Sequence, residues 1–155
     1  MKILIAYDGS DAARRAVSAA GELFAGEQAL LVTVWEPGLA YALSDLEPTG
    51  PELSPIPVDL EGAQELEDEL QVHARRTAAE GVELGTSAGL ECEGIAVAER
   101  THVEDALIDL ARKRQVAAIV VGSRGLTGLR ARLEGSTSSA VLKQAPCPVV
   151  VVHND

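Results

Sequence analysis

Five short apolar runs, rich in valine, isoleucine and leucine, alternate along this chain with segments of helical periodicity. Short runs of this kind, bounded by glycine, proline or charged residues, are typical of strands that are buried on both faces. Burial on both faces requires that helices cover the sheet from two sides. The runs predict strands at residues 3–6, 29–35, 90–97, 117–121 and 149–152.

Helical patterns fill the intervals between the predicted strands. In the first interval Ser10 is a suitable N-cap, alanines and valines recur on one helical face as far as Phe24, and Gly26 ends the helix. The other predicted helices span residues 60 to about 81, 104–114 and 135–144. The alternation predicts an α/β fold, in which residues 1–155 form a single domain around a doubly wound, five-stranded parallel sheet.

Composition narrows the function classes. The 155 residues suffice for one core, and with 46% hydrophobic but only 3% aromatic residues that core must be aliphatic. A net charge of −11 disfavours nucleic acid and anionic membranes as partners. No apolar run approaches the roughly 20 residues of a membrane span. We therefore predict a cytoplasmic protein.

Two further features receive structural interpretations. Cys92 and Cys147 form no CxxC pair and no cluster with histidine, so we predict two buried or half-buried free thiols rather than a zinc site. Residues 36–59 contain five prolines and neither lysine nor arginine. This composition predicts a flexible, acidic, proline-rich loop.

A glycine-spaced segment follows the fourth strand and carries the strongest functional signal. Gly122 ends that strand, Gly125 permits a tight turn with bare amides, and Gly135 precedes Ser136 at a helix start. The unpaired N–H groups of a helix N-terminus favour phosphate, and a nearby hydroxyl group can bind Mg²⁺. Glycine after a strand and Gly-Ser before a helix are also ordinary turn and cap signals, so only the joint spacing favours phosphate binding.

Charge supports that hypothesis, although known phosphate motifs do not match. The window 112–143 contains seven basic residues and one acid in an otherwise acidic chain, and Arg124 lies within the glycine segment. There is no Gly-Lys-Ser/Thr of a Walker loop, and the segment does not follow the first strand as a dinucleotide motif would.

The spacing Gly122-x2-Gly125-x9-Gly135-Ser136 is similar to the nucleotide motif of the universal stress protein family. The opening residues 3–10 and the closing residues 145–152 also resemble that family, so the resemblance covers the whole chain. The resemblance implies an adenine nucleotide alpha hydrolase-like fold with strand order 3-2-1-4-5. The glycine motif is typical of the ATP-binding branch.

The same resemblance implies a site for ATP, with Mg²⁺ as a candidate companion. The Asp8 position lies by the ribose and adenine, Val34 packs on adenine, and Gly122 lies at the ribose. The predicted cofactor-binding residues are Ala6, Tyr7, Asp8, Val34, Val121, Gly122, Arg124, Gly125, Gly135, Ser136 and Thr137. No catalytic residue and no metal ligand is assigned.

Family likeness also implies a homodimer that pairs through Val149–Val152. The physics agrees, because four consecutive valines on an edge strand favour aggregation unless they are covered. Three functions stay open at this point: a nucleotide-dependent regulatory module in the stress response, a slow ATPase or autophosphorylating enzyme, and a structural dimer with an empty cleft. The lack of an evident water-positioning residue near the loop favours binding over catalysis.

Overall fold

A computed structural model describes residues 1–38, 60–99, 102–123 and 136–153. Five parallel strands form one sheet in the order β3-β2-β1-β4-β5, which confirms the predicted fold class and strand order. The elements are β1 (Lys2–Ala6), α1 (Asp11–Leu23), β2 (Gln28–Trp35), α2 (Leu60–Ser87), β3 (Glu91–Ala98), α3 (Val103–Arg114), β4 (Ala118–Gly122), α4 (Ser136–Gln144) and β5 (Val149–Val152).

Strand β1 lies at the centre of the sheet. Leu4 pairs with Leu30 of β2 on one side and with Ile119 of β4 on the other. Ile3, Leu4 and Ile5 are fully buried, because neighbours on both sides and helices on both faces exclude water. This is the environment that the continuous apolar run predicts.

Helices cover both faces of the sheet in pairs. On one face the small residues of α1, including Ala16 and Val17, pack with Val82 of α2 against Ile3 and Ile5. On the opposite face α3 and α4 contribute a second cluster of buried residues. Its members from these helices are Leu107, Ala111 and Val141. Tyr7 and a partly buried Phe24 are the aromatic residues of the two clusters, as the low aromatic content leads one to expect.

Helix α2 is longer than the sequence predicts. The expected end near Gly81 is wrong, since the helix continues to Ser87. A Cβ atom at Gly81 would lie 2.9 Å from Cδ1 of Tyr7, and one at Gly85 would lie 2.5 Å from Sγ of Cys92. These glycines permit close packing of the helix on the sheet. Tertiary contact therefore outweighs their poor helix propensity.

The two cysteines are free and half-buried, as predicted, and burial raises the pKa of both thiols. Most of the predicted loop at 36–59 lies outside the described residues. Of the helices that are described, none combines the length and the apolar character needed to cross a bilayer.

Candidate functional site: the carboxyl edge between β1 and β4

The carboxyl ends of β1 and β4 lie side by side where the chain reverses its direction of winding. Ile5 pairs with Val120, so the residues that follow on each strand are level. After β1 the chain enters α1 on one face of the sheet, and after β4 it continues towards α4 on the other. In open parallel sheets such a divergence forms a ligand crevice. It brings together four predicted site residues, Ala6, Tyr7, Val121 and Gly122.

Asp8 stands exposed at this edge in a turn that its own side chain stabilises. Its Oδ1 accepts a hydrogen bond of 3.0 Å from the backbone N–H of Ser10. Gly9 has φ +79°, a conformation that glycine adopts without strain. Ser10 then caps α1, with its Oγ accepting a 3.1 Å hydrogen bond from the N–H of Ala13. The carboxylate is thus held at the open edge by local geometry.

Tyr7 points away from the crevice into the cluster under α1 and α2. Its side chain is buried, and its hydroxyl donates a 2.7 Å hydrogen bond to Oε1 of Glu80. Its N–H donates to the carbonyl of Val32 at 2.9 Å, and its carbonyl accepts from Oγ1 of Thr33 at 2.8 Å. The position next to Asp8 is therefore fixed through side chain and backbone alike.

Tyr7, Arg14 and Glu80 form a polar cluster that was not predicted from the sequence. Arg14 donates to the same Glu80 oxygen from Nε at 3.2 Å and from Nη2 at 2.8 Å. Hydrogen bonds from Tyr7 and Arg14 lower the pKa of Glu80, whereas burial, followed by the bond to Glu80, raises the pKa of Tyr7. No sequence spacing links positions 7, 14 and 80. The one available signal is a tyrosine in an aliphatic strand, because a buried phenol needs a partner.

Gly122 is required by packing inside the protein. A Cβ atom there would lie 2.6 Å from the backbone oxygen of Ala12 in α1 and 3.1 Å from the Cβ of Ala12. The segment that lies close to Gly122 in this structure is therefore the start of α1. Its predicted contact with a ribose remains a prediction.

Val34 lies near the carboxyl end of β2, where it pairs with Val97 of β3 and is half-buried on the α3 and α4 side. Trp35, the last residue of β2, is also half-buried. The position of Val34 is compatible with its predicted packing against adenine.

The phosphate-binding part of the predicted site is only partly described. Arg124, Gly125 and Gly135 lie outside the described residues, and Ser136 and Thr137 lie in the first turn of α4. Among the described residues, no group of three or more His, Cys, Asp or Glu side chains could hold a metal ion.

Two shallow grooves lie away from this edge. One of about 310 Å³ lies at the amino ends of β2 and β3 beside Lys2 and Gln28. Another of about 380 Å³ lies between α2 and β3 and is lined by Arg75, Val82 and Gly94 among others. Both are open, and charged side chains such as Lys2 and Glu91 in the first and Arg75 and Glu83 in the second contribute to their lining.

Comparison with known proteins shows the same family along the whole chain. The model of the universal stress protein family matches residues 1–153. Universal stress protein YxiE of Bacillus subtilis is 30% identical over 153 residues, which cover 98% of each chain.

Solved structures share the fold at lower sequence identity. A universal stress protein in complex with cAMP has a TM-score of 0.65 at 23% identity, covering 100% of this chain and 98% of its own. The universal stress protein from Archaeoglobus fulgidus in complex with dAMP has a TM-score of 0.64 at 23% identity, covering 98% and 97%.

Proposed function

Because the chain belongs to the universal stress protein family, we propose that it binds an adenine nucleotide at the carboxyl edge between β1 and β4. The observation that carries this proposal is the position of Asp8, held exposed at the point where β1 and β4 diverge. Solved structures of the same fold that contain cAMP and dAMP support adenine as the base. A nucleotide-dependent regulatory role in the stress response, in the cytoplasm, is the function that we propose for this binding.

In the proposed complex each wall of the crevice has a different task. The Asp8 carboxylate accepts a hydrogen bond from the ribose or adenine, and the half-buried Val34 packs on the base. Ala6, Tyr7, Val121 and Gly122 border the nucleoside through their backbone. ATP is the proposed ligand, with Mg²⁺ at its phosphates, and its phosphate contacts come from Arg124, Gly125, Gly135, Ser136 and Thr137.

Two carboxylates near the end of β1, those of Asp8 and Glu80, accept hydrogen bonds from the protein itself, which favours binding over efficient catalysis. Glu80 already accepts hydrogen bonds from Tyr7 and Arg14, and these lower its pKa. A carboxylate with a lowered pKa is a weaker general base. The described residues therefore support nucleotide binding without efficient catalysis. Slow ATP hydrolysis or autophosphorylation is the alternative, and activity assays test it.

We also propose a homodimer that pairs through β5. The two edge strands of the sheet differ: β3 carries Glu91 and Glu93 in its first three residues, whereas β5 consists of Val149–Val152 alone. Charged side chains protect an edge from pairing, and an uncharged valine edge favours it. Val151→Lys should change the sedimentation coefficient from that of a dimer to that of a monomer.

Titration calorimetry with ATP, AMP and cAMP tests the binding proposal. Asp8→Ala should raise the Kd for the preferred nucleotide at least about tenfold, since a hydrogen bond to a charged group contributes about 1.5–3 kcal/mol. Asp109→Ala, which removes an exposed carboxylate from α3, is the matched control and should leave the Kd unchanged. Gly125→Val should also weaken binding.

Undetectable binding of all three nucleotides by folded wild-type protein would contradict the proposal. If the wild type released phosphate from ATP over multiple turnovers and Gly125→Val did not, the protein would be an enzyme rather than a nucleotide-binding module.

A further inference from the structure

Three hydrogen bonds from two different elements converge on one oxygen atom of Glu80. Oε1 accepts from the Tyr7 hydroxyl at the end of β1 and from two nitrogens of Arg14 in the first turns of α1. Glu80 itself belongs to α2. One carboxylate therefore joins β1, α1 and α2 just below the carboxyl edge of the sheet.

Tyr7 and Arg14 flank the turn that presents Asp8. Tyr7 precedes Asp8 directly, and the N–H of Arg14 donates to the carbonyl of Ser10, the cap of α1, at 3.0 Å. The turn between them also lies close to α2, since a Cβ at Gly9 would lie 3.6 Å from Cγ2 of Thr77. Both ends of the Asp8–Ser10 connection are thus fastened to α2 through Glu80.

The ring of Tyr7 is packed against α2. It lies against Gly81, the residue that follows Glu80, at a distance that leaves no space for a Cβ atom. Its hydroxyl donates to Glu80, so a change at Glu80 acts on the residue next to Asp8.

We propose that Glu80, acting through Tyr7 and Arg14, is a positioning residue that holds Asp8 in the geometry required for nucleotide binding. Glu80 does not touch the nucleotide in this arrangement. It sets the position of the Asp8 carboxylate, and nucleotide binding at Asp8 is thereby coupled to the position of α2. This inference rests on the proposed nucleotide site.

The chain offers a matched control at the opposite end of the sheet. Glu93 of β3 pairs with Arg114 of α3 at 3.4 Å, and both side chains are about half exposed, as are those of Glu80 and Arg14. Glu93→Gln removes the same charge and the same type of ion pair as Glu80→Gln. It does so at the amino ends of the strands, far from Asp8.

Calorimetry with ATP on Glu80→Gln, Tyr7→Phe and Glu93→Gln tests the proposal. We expect the Kd to rise by roughly threefold to thirtyfold in the first two variants, the range in which residues without ligand contact modulate binding. Glu93→Gln should bind as the wild type does. Circular dichroism of each variant confirms that the compared proteins are folded.

A double-mutant cycle separates positioning from a merely structural role. If Glu80 acts through Asp8, Glu80→Gln should have little further effect on the Kd once Asp8 is replaced by alanine. Equal effects of Glu80→Gln with and without Asp8 would overturn the inference, as would a Kd within twofold of wild type in both Glu80→Gln and Tyr7→Phe. In either case ATP binding that still depends on Asp8 would leave the proposed function intact, whereas absent binding by the wild type would refute that function itself.

Discussion

The two ends of the sheet each contain a glutamate–arginine pair, yet the pairs differ in what they hold. At the amino end, Glu93 and Arg114 lie 3.4 Å apart and link β3 to α3. At the carboxyl end, Glu80 and Arg14 lie 2.8 Å apart, and the same Glu80 oxygen also accepts from Tyr7. The segment around Asp8 is therefore held in place by several contacts, as a preorganised ligand site requires.

Backbone contacts sharpen this contrast. At the carboxyl edge the hydroxyl of Thr33 is buried and supports the carbonyl of Tyr7, and Gly122 lies against the backbone of α1. At the amino edge Ser87 makes a similar hydrogen bond to the carbonyl of Glu83, but it is exposed. Water can replace the exposed bond and cannot replace the buried one.

The largest expected effect comes from Gly122→Ala at the carboxyl edge. The added methyl group meets the backbone oxygen of Ala12 at 2.6 Å, so the start of α1 must move. We expect the free energy of unfolding to fall by about 3 kcal/mol, measured by urea denaturation. Gly94→Ala is the control, since its nearest neighbour is a methyl group of Val82 at 3.0 Å. An equal fall in the free energy of unfolding in both variants would show that the packing at Gly122 is not special.

A smaller loss is expected when the buried hydroxyl at position 33 is removed. Thr33→Val keeps the shape of the side chain but leaves the carbonyl of Tyr7 without its 2.8 Å partner. We expect the free energy of unfolding to fall by about 1–2 kcal/mol. Ser87→Ala at the amino edge should change it by less than about 0.5 kcal/mol. Similar values for the two substitutions would show that burial does not separate the edges.

The smallest effect concerns the charge of Glu80, which is half exposed. Its pKa is lowered in the folded protein, so its ionised form adds stability above its ordinary pKa, and this contribution is lost as the pH falls through the folded-state value. Glu80→Gln should therefore be less stable than wild type at about pH 7, and the difference should be smaller at about pH 3. A constant difference at both pH values would mean that ionisation is not the cause.

Sequence patterns predicted the alternation of five strands and four helices because it depends on features that repeat along the chain, whereas the strand order, which places β1 beside β4, was implied by the resemblance to the universal stress protein family. Alternating apolar runs and helical stripes identified all five strands, and Gly122 was placed correctly at the end of β4. The end of α2 was missed because Gly81 and Gly85 normally suggest termination, and their role appears only in contact with Tyr7 and Cys92.

The Tyr7–Arg14–Glu80 cluster could not be predicted from the sequence for the same reason. Its members come from three elements, and their meeting depends on how α2 lies across β1. Conversely, the ligand role inferred for Gly122 has a competing internal explanation, the close approach of Ala12, which no single sequence reveals.

Amide chemical shifts recorded during a titration with ATP test the central claim most directly, because they compare both edges in one experiment. We predict that the shifts of Asp8, Val34, Gly122 and Ser123 change with a common Kd, while those of Lys2, Gln28 and Glu93 stay constant. Changes confined to the amino edge, or no change at any of these positions at saturating ATP, would contradict the account.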